Sequence, residues 1–192
     1  MKNRTIGARA AEDLEGQVRK VLRGLEDPEP PLNLDHVRAL QKLDLQYYSS
    51  ADDSWLRQLA SQIRVAGKQI LRRPTLLLEA VRKAELSALY LPDQRRILLD
   101  LEAPELKHRW NQGHEIGHSL APWHEPYLFG DDSASLHPSC HDTLEAEANF
   151  VSGRLLSLGN RFSEEAIDLE ATIDTVFDLA KKFGNTKTGD VP

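Results

Sequence analysis

The chain has one cysteine and one methionine, and few of its residues are aromatic. Because Cys140 has no second cysteine to pair with, an internal disulfide is excluded, and we expect a reducing compartment, by default the cytoplasm. The chain also lacks an apolar run of the roughly 18 residues that a membrane-spanning helix needs. No apolar stretch follows the basic start of the chain, so no secretory signal is predicted.

A surplus of positive charge is missing as well, since the formal net charge is -6. Binding to a nucleic-acid backbone requires a basic surface, so we expect no direct nucleic-acid partner. The remaining composition is typical of a globular protein: of 192 residues, 40% are hydrophobic and 28% are charged. A chain of this size has room for one domain with a substantial hydrophobic core.

Apolar residues recur at helical or strand spacing along the first hundred residues. The predicted elements are, in order, an amphipathic helix over 8–25, a proline-rich linker over 27–31, a short helix that bears Val37, Leu40 and Leu43, a strand over 45–48, a helix from Asp52 or Asp53 to about 73, a helical stretch within 75–84, and a hairpin formed by 87–91 and 96–100. Asn33 or Asp35 is expected to cap the short helix.

The second half of the chain is predicted to be mainly helical. Its predicted elements are a helix that begins near Pro104 and runs through residue 118, a loop over about 121–141, a helix capped by Asp142 that ends at Gly159, a last helical region over 163–183, and a polar tail. Together these elements predict an α+β fold that is mainly helical, with a small sheet of about three strands that includes the hairpin near 87–100.

Residues 114–118 have the sequence HEIGH, which matches the zinc-protease motif H-E-x-x-H. On a helix, His114 and His118 are turned only about 40° from each other, so both imidazoles can bind one metal ion, Zn²⁺. Glu115 then reaches the open side of the site, where it can accept a proton from water as the catalytic base. Gly117 costs about 1 kcal/mol in a helix interior relative to alanine. We therefore expect another backbone to pack closely against it.

A catalytic zinc site needs a third protein ligand, and Glu145 is the leading candidate. Asn149 lies four residues later, so on a helix both side chains can face the first motif. The Asn149 side chain can then accept a hydrogen bond from a ligating histidine and select its tautomer. Glu147 points about 160° away from Glu145 and is expected to face solvent.

His124 is the alternative metal ligand. It completes the metzincin spacing H-E-x-x-H-x-x-G-x-x-H except at Ala121, which replaces the glycine that lets the helix end sharply. Metzincins also have a methionine turn beneath the zinc, and the only methionine of this chain is Met1. A secreted, metzincin-like peptidase is the third functional hypothesis, and Ala121, the missing methionine turn and the missing secretory signal count against it.

The motif HEIGH, the sequence E-x-E-A-N-F over 145–150 and the pair Leu155-Leu156 resemble the ImmA/IrrE group of bacterial and phage zinc metallopeptidases. The resemblance implies a zincin-like, gluzincin-type fold with His114, His118 and Glu145 as ligands. It further implies cytoplasmic cleavage of a regulatory protein such as a helix-turn-helix repressor. The chain departs from the family at 110–113, which reads WNQG, and after Leu156, where Ser157-Leu158 replaces Met-Pro.

The expected organisation is an N-terminal helix and linker over 1–31, a metallopeptidase-like domain over 32–184, and a polar tail over 185–192. Residues 179–184 resemble the start of the family's C-terminal helical unit, and we expect the chain to be truncated within that unit. His141, His137 and Tyr127 are candidates for oxyanion or substrate contacts. One hairpin strand is expected to pair with an extended substrate. The alternative function is a regulatory module that binds its protein partner without cutting it.

Overall fold

The computed structural model describes residues 6–49, 52, 54, 87–125 and 138–185. Within these ranges the chain forms six α-helices and a three-stranded sheet. The elements are α1 (Ala8–Gly24), α2 (Leu34–Gln41), β1 (Asp44–Tyr48), β2 (Ala88–Leu91), β3 (Arg96–Asp100), α3 (Glu105–Leu120), α4 (Pro138–Leu156), α5 (Arg161–Ile167) and α6 (Ile173–Phe183). The predicted α+β class is confirmed. The helices predicted over 52–73 and 75–84 fall almost entirely outside the described residues.

The sheet has the strand order β1-β3-β2, with β3 parallel to β1 and antiparallel to β2. The predicted hairpin is therefore present as β2 and β3, which are joined by a short 3₁₀ turn over Pro92–Gln94. Strand β3 lies in the middle and is buried at Ile97, Leu98 and Leu99. These side chains anchor the sheet in the core, and β2 forms one outer edge of the described sheet.

Helix α1 follows the predicted amphipathic pattern and is part of the same core as the two motif-bearing helices. Its residues Leu14 and Val18 have no solvent exposure, and they join a cluster that also contains Ile116 of α3 and Val151 of α4. A hydrogen bond of 2.8 Å from Arg154 Nε to Glu15 Oε2 also joins α4 to α1. Helix α2 begins as predicted, because the Asn33 side chain accepts a hydrogen bond from the backbone N–H of Asp35.

Two predicted boundaries are wrong. Helix α4 begins at Pro138, four residues before Asp142, since proline fits the first turn of a helix, where its missing N–H has no partner to lose. The predicted helical region 163–183 is divided into α5 and α6, which are separated by residues 168–172. Thr172 is the capping residue at the start of α6. Its side chain accepts a hydrogen bond from the Thr175 N–H and starts α6. Among the helices in the described ranges, none combines the length and apolar character needed to cross a bilayer.

Candidate metal centre

The site is formed where α3 and α4 pack at unusually close range. A Cβ atom on Gly117 would lie 2.7 Å from the carbonyl oxygen of Ala148 and 3.2 Å from its Cα atom. Only glycine allows this approach of one helix backbone to another. The close packing expected at Gly117 is therefore confirmed. One turn earlier, a Cβ atom on Gly113 would lie 2.7 Å from Ser152 Oγ.

This packing brings His114 and His118 of α3 together with Glu145 of α4. The two Nε2 atoms of the histidines are 3.1 Å apart. Glu145 Oε2 lies 3.2 Å from His114 Nε2, and Glu145 Oε1 lies 3.5 Å from His118 Nε2. One nitrogen from each histidine and the carboxylate of Glu145 thus converge on one small region, and these residues form a group that could hold a metal ion.

The distances within this group fit tetrahedral coordination. Bonds of about 2.0–2.1 Å that meet at tetrahedral angles separate neighbouring ligand atoms by about 3.3–3.4 Å. The observed separations of 3.1, 3.2 and 3.5 Å bracket that value. Two imidazoles and a carboxylate are also a ligand set that leaves a fourth position open in catalytic zinc sites. The residues therefore fit a divalent metal ion such as zinc without any change of backbone.

Asn149 has the contact that its spacing from Glu145 predicts. Its Oδ1 atom lies 3.0 Å from His114 Nδ1. An amide oxygen can only accept, so His114 Nδ1 carries a proton, and Nε2, which faces Glu145 and His118, is the nitrogen left to bind a metal ion. Asn149 therefore orients the His114 ring with Nε2 towards Glu145 and His118.

His124 lies beside the site but not among the ligand atoms. A 3₁₀ turn over Pro122–His124 follows α3 directly and places His124 behind His118, with no solvent exposure. His124 Nδ1 is 2.9 Å from His118 Nδ1, and His124 Nε2 is 2.8 Å from Glu147 Oε2. Both ring nitrogens of His124 are engaged away from Glu145, so the structure does not support His124 as the alternative ligand.

The prediction that Glu147 faces solvent is wrong, since its exposed fraction is only 6%. Its direction on α4 is away from Glu145, as the helical angle requires, but the 122–124 turn covers that side of the helix. Glu147 Oε2 accepts a hydrogen bond of 2.7 Å from Trp123 Nε1 and also contacts His124 Nε2. Sequence reasoning missed these contacts of Glu147 beside the site. The only available signal was a pair of N–H donors, Trp123 and His124, just after the motif.

Glu115 is nearly inaccessible, with an exposed fraction of 6%. Burial raises the pKa of Glu115 to about 7, and the negative charge of Glu145 adds to that effect. The positive charge of His114 and a hydrogen bond with the backbone of Tyr90 act in the opposite direction. The Tyr90 contact also places the Glu115 carboxylate beside β2, the outer strand of the described sheet.

In the metal-free protein, the pKa values of His118 and Glu145 match groups ready to coordinate, whereas the pKa of His114 favours the protonated ring. Burial lowers the pKa of His118 to about 4, so this imidazole is neutral at physiological pH. Burial raises the pKa of Glu145, but the neighbouring imidazoles of His114 and His118 outweigh burial and hold that pKa well below its usual range. For His114, burial lowers the pKa, and the contacts with Glu145 and the nearby charge of Glu115 outweigh it and raise the pKa above 6.5.

The side chains of the three candidates for oxyanion or substrate contacts lie outside the part of the chain that the structure describes. His141 belongs to the first turn of α4, where the sequence predicts loop. His137 and Tyr127 lie outside the described residues. These roles therefore stay predictions.

The comparisons with known proteins do not identify a family for this chain. No protein-family model matches the chain. A comparison with curated proteins also finds no match.

Proposed function

We propose that the protein is a zinc-dependent endopeptidase. The observation that carries the proposal is the group formed by His114, His118 and Glu145, whose ligand atoms are separated as in a tetrahedral site, next to the buried carboxylate of Glu115. A zinc ion bound there would polarise a peptide carbonyl and lower the pKa of a coordinated water towards about 7. H-E-x-x-H together with a third carboxylate ligand is the arrangement that serves this chemistry.

Glu115 is the proton carrier in this proposal. A general base works best when its pKa is near the working pH, and in the metal-free protein burial raises the pKa of Glu115 to about 7. Its carboxylate accepts a proton from the attacking water and donates that proton to the leaving amine. Proton transfer by a positioned side chain typically contributes about 10²–10⁴-fold to the rate.

Strand β2 is the surface on which we expect an extended substrate to bind. It is the outer strand next to β3 in the described sheet, and the backbone of Tyr90 on β2 contacts Glu115. A peptide that adds to a sheet edge is held by main-chain hydrogen bonds with little dependence on its side chains. Pairing with β2 would therefore place a scissile bond near Glu115.

The substrate that we propose is a regulatory protein, such as a helix-turn-helix repressor, in a bacterial or phage cytoplasm. Support for this part comes from the resemblance of HEIGH and E-x-E-A-N-F to ImmA/IrrE peptidases, to which we propose that the chain is related. The formal net charge of -6 also favours a protein partner over a nucleic-acid backbone.

Glu115→Gln tests the proposal, because glutamine keeps the shape of the side chain but cannot take up the proton. The zinc-loaded protein and the variant are incubated with a peptide library derived from a bacterial proteome and with helix-turn-helix regulators, and products are identified by mass spectrometry. We expect cleavage by the wild type, its loss in Glu115→Gln, and unchanged zinc binding in both. The exposed residue Glu164 provides the control, Glu164→Gln, which should cut at the wild-type rate.

Cleavage by Glu115→Gln at the wild-type rate would contradict the assignment of Glu115. Stable binding of a regulator without cleavage by either protein would instead support the regulatory module that binds its partner without cutting it.

A further inference from the structure

A chain of hydrogen bonds runs from the ligand group into the protein interior through His118. It begins at His118 Nδ1, which is 2.9 Å from His124 Nδ1. It continues from His124 Nε2 to Glu147 Oε2 over 2.8 Å. All three side chains are buried, with exposed fractions of 4%, 0% and 6%. Because these side chains are shielded from solvent, each of their polar atoms needs a hydrogen-bond partner within the protein.

Trp123 identifies the acceptor end of the chain. An indole N–H can only donate, and Trp123 Nε1 lies 2.7 Å from the same Glu147 oxygen that faces His124. Trp123 Nε1 and His124 Nε2 therefore face the same oxygen of Glu147. A carboxylate oxygen can accept both hydrogen bonds, so His124 Nε2 is the second donor. A carboxylate that accepts two such bonds is compensated for its burial.

The proton positions along the rest of the chain follow from valence. A neutral imidazole has one N–H, so a proton on His124 Nε2 leaves a lone pair on His124 Nδ1. The contact of 2.9 Å then requires the proton of the His118 ring to be on Nδ1. His118 Nε2 is left with its lone pair directed towards His114 and Glu145.

We propose that Glu147 and His124 are positioning residues that hold His118 in the tautomer able to coordinate a metal ion. This inference deepens the proposed function and rests on it for its consequence, metal affinity. The chain from the Glu147 carboxylate through His124 holds a proton on Nδ1 of His118, just as Asn149 holds a proton on Nδ1 of His114 directly. It ends in a charged group, which raises the basicity of the ligand more than an amide does.

The first test uses the metal-free wild-type protein and needs no variant. With ¹⁵N-labelled histidine, long-range ¹H–¹⁵N spectra distinguish an imidazole protonated on Nδ1 from one protonated on Nε2. We expect the Nδ1–H form for His118 and the Nε2–H form for His124. The reverse pair of tautomers would overturn the proposal, since the proton of His118 would then be on Nε2 and the chain to Glu147 would not hold it on Nδ1.

The second test measures zinc affinity by competition with a chromophoric chelator. His124→Phe removes the acceptor of His118 Nδ1–H and should weaken zinc binding by about 10- to 100-fold. His124→Asn should restore much of that affinity, because an asparagine oxygen can accept the same proton as it does in the contact between His114 and Asn149. A purely structural role for His124 predicts that both variants fail equally.

Trp123→Phe is the matched control, because it removes the other donor to Glu147 and leaves the chain to His118 intact. We expect a change in zinc affinity of less than about threefold, against at least tenfold for His124→Phe. Unaltered zinc affinity in His124→Phe, with a folded protein by circular dichroism, would overturn the proposal. Failure of the wild type to bind zinc would refute the proposed function, while the tautomers of the metal-free protein would still decide whether the hydrogen-bond chain exists.

Discussion

The carbonyl oxygen of Ala148 lies 2.7 Å from the position that a Cβ atom on Gly117 would occupy. Contact between the two helix backbones at this point sets the distance between α3 and α4. The candidate ligands are on either side of it, with His114 and His118 on one helix and Glu145 on the other. The geometry of the ligand group therefore depends on a residue that has no side chain of its own.

Gly117→Ala is expected to destabilise the protein by about 1–3 kcal/mol, because the new methyl group meets backbone atoms that cannot rotate away. This loss outweighs the gain of about 1 kcal/mol in helix propensity. The measurement is urea unfolding at equilibrium. Gly153 on α4 has nothing within 4 Å of its Cβ position, so the control Gly153→Ala should be neutral or stabilising. Equal stability of both variants would contradict the close contact.

Zinc is expected to raise the melting temperature of the wild type and not that of Glu145→Gln. At a free concentration 100-fold above Kd, binding adds about 2.7 kcal/mol, or roughly 5–10 °C for a chain of this size. Thermal unfolding with added zinc, and again after chelation, measures this shift. Glu164→Gln, at an exposed position on α5, should respond like the wild type. A shift of the same size in Glu145→Gln would exclude Glu145 as a ligand.

Asn149→Ala should weaken zinc binding by about 10-fold or more, since His114 Nδ1–H loses its acceptor at 3.0 Å. Asn149→Asp keeps an oxygen in the same place and should bind zinc at least as tightly as the wild type. Isothermal titration with zinc compares the three proteins. Weaker binding by the aspartate variant than by the alanine variant would show that Asn149 does not act through this hydrogen bond.

The buried Glu115 carboxyl should make the stability of the metal-free protein depend on pH. Its pKa is raised from 4.5 to about 7 on folding, so the folded state binds the proton more tightly than the unfolded state. The resulting stabilisation is fully present below pH 4.5 and is lost as the pH rises through 7, by roughly 3 kcal/mol.

Glu115→Gln removes this titration and is the reference for it. The difference in the free energy of unfolding between wild type and variant, measured in urea with chelator at pH 4.5, 6 and 8, should move against the wild type as the pH rises. Parallel profiles for the two proteins would rule out a raised pKa at Glu115.

Local spacing was sufficient to pair the candidate ligands and Asn149 within each helix, but not to bring the two helices together. The separation of four residues places His114 with His118 and Glu145 with Asn149, since each pair shares one face of its own helix. The same spacing did not reveal the surroundings of Glu147. Its direction on α4 was predicted correctly, but its environment depends on the 122–124 turn, which follows a different helix.

The amino-acid sequence alone determined which side chains point in the same direction along each helix and where the hairpin turns. It also indicated that another backbone packs closely against the glycine between the two histidines. Tertiary structure decided which groups those side chains contact. His124 lies behind His118 and not among the candidate ligands, and Glu147 is buried beneath Trp123. Periodicity describes a segment relative to its own axis. Which groups come into contact across two helices and a turn depends on how the backbones pack, and here that packing is set where Gly117 meets Ala148.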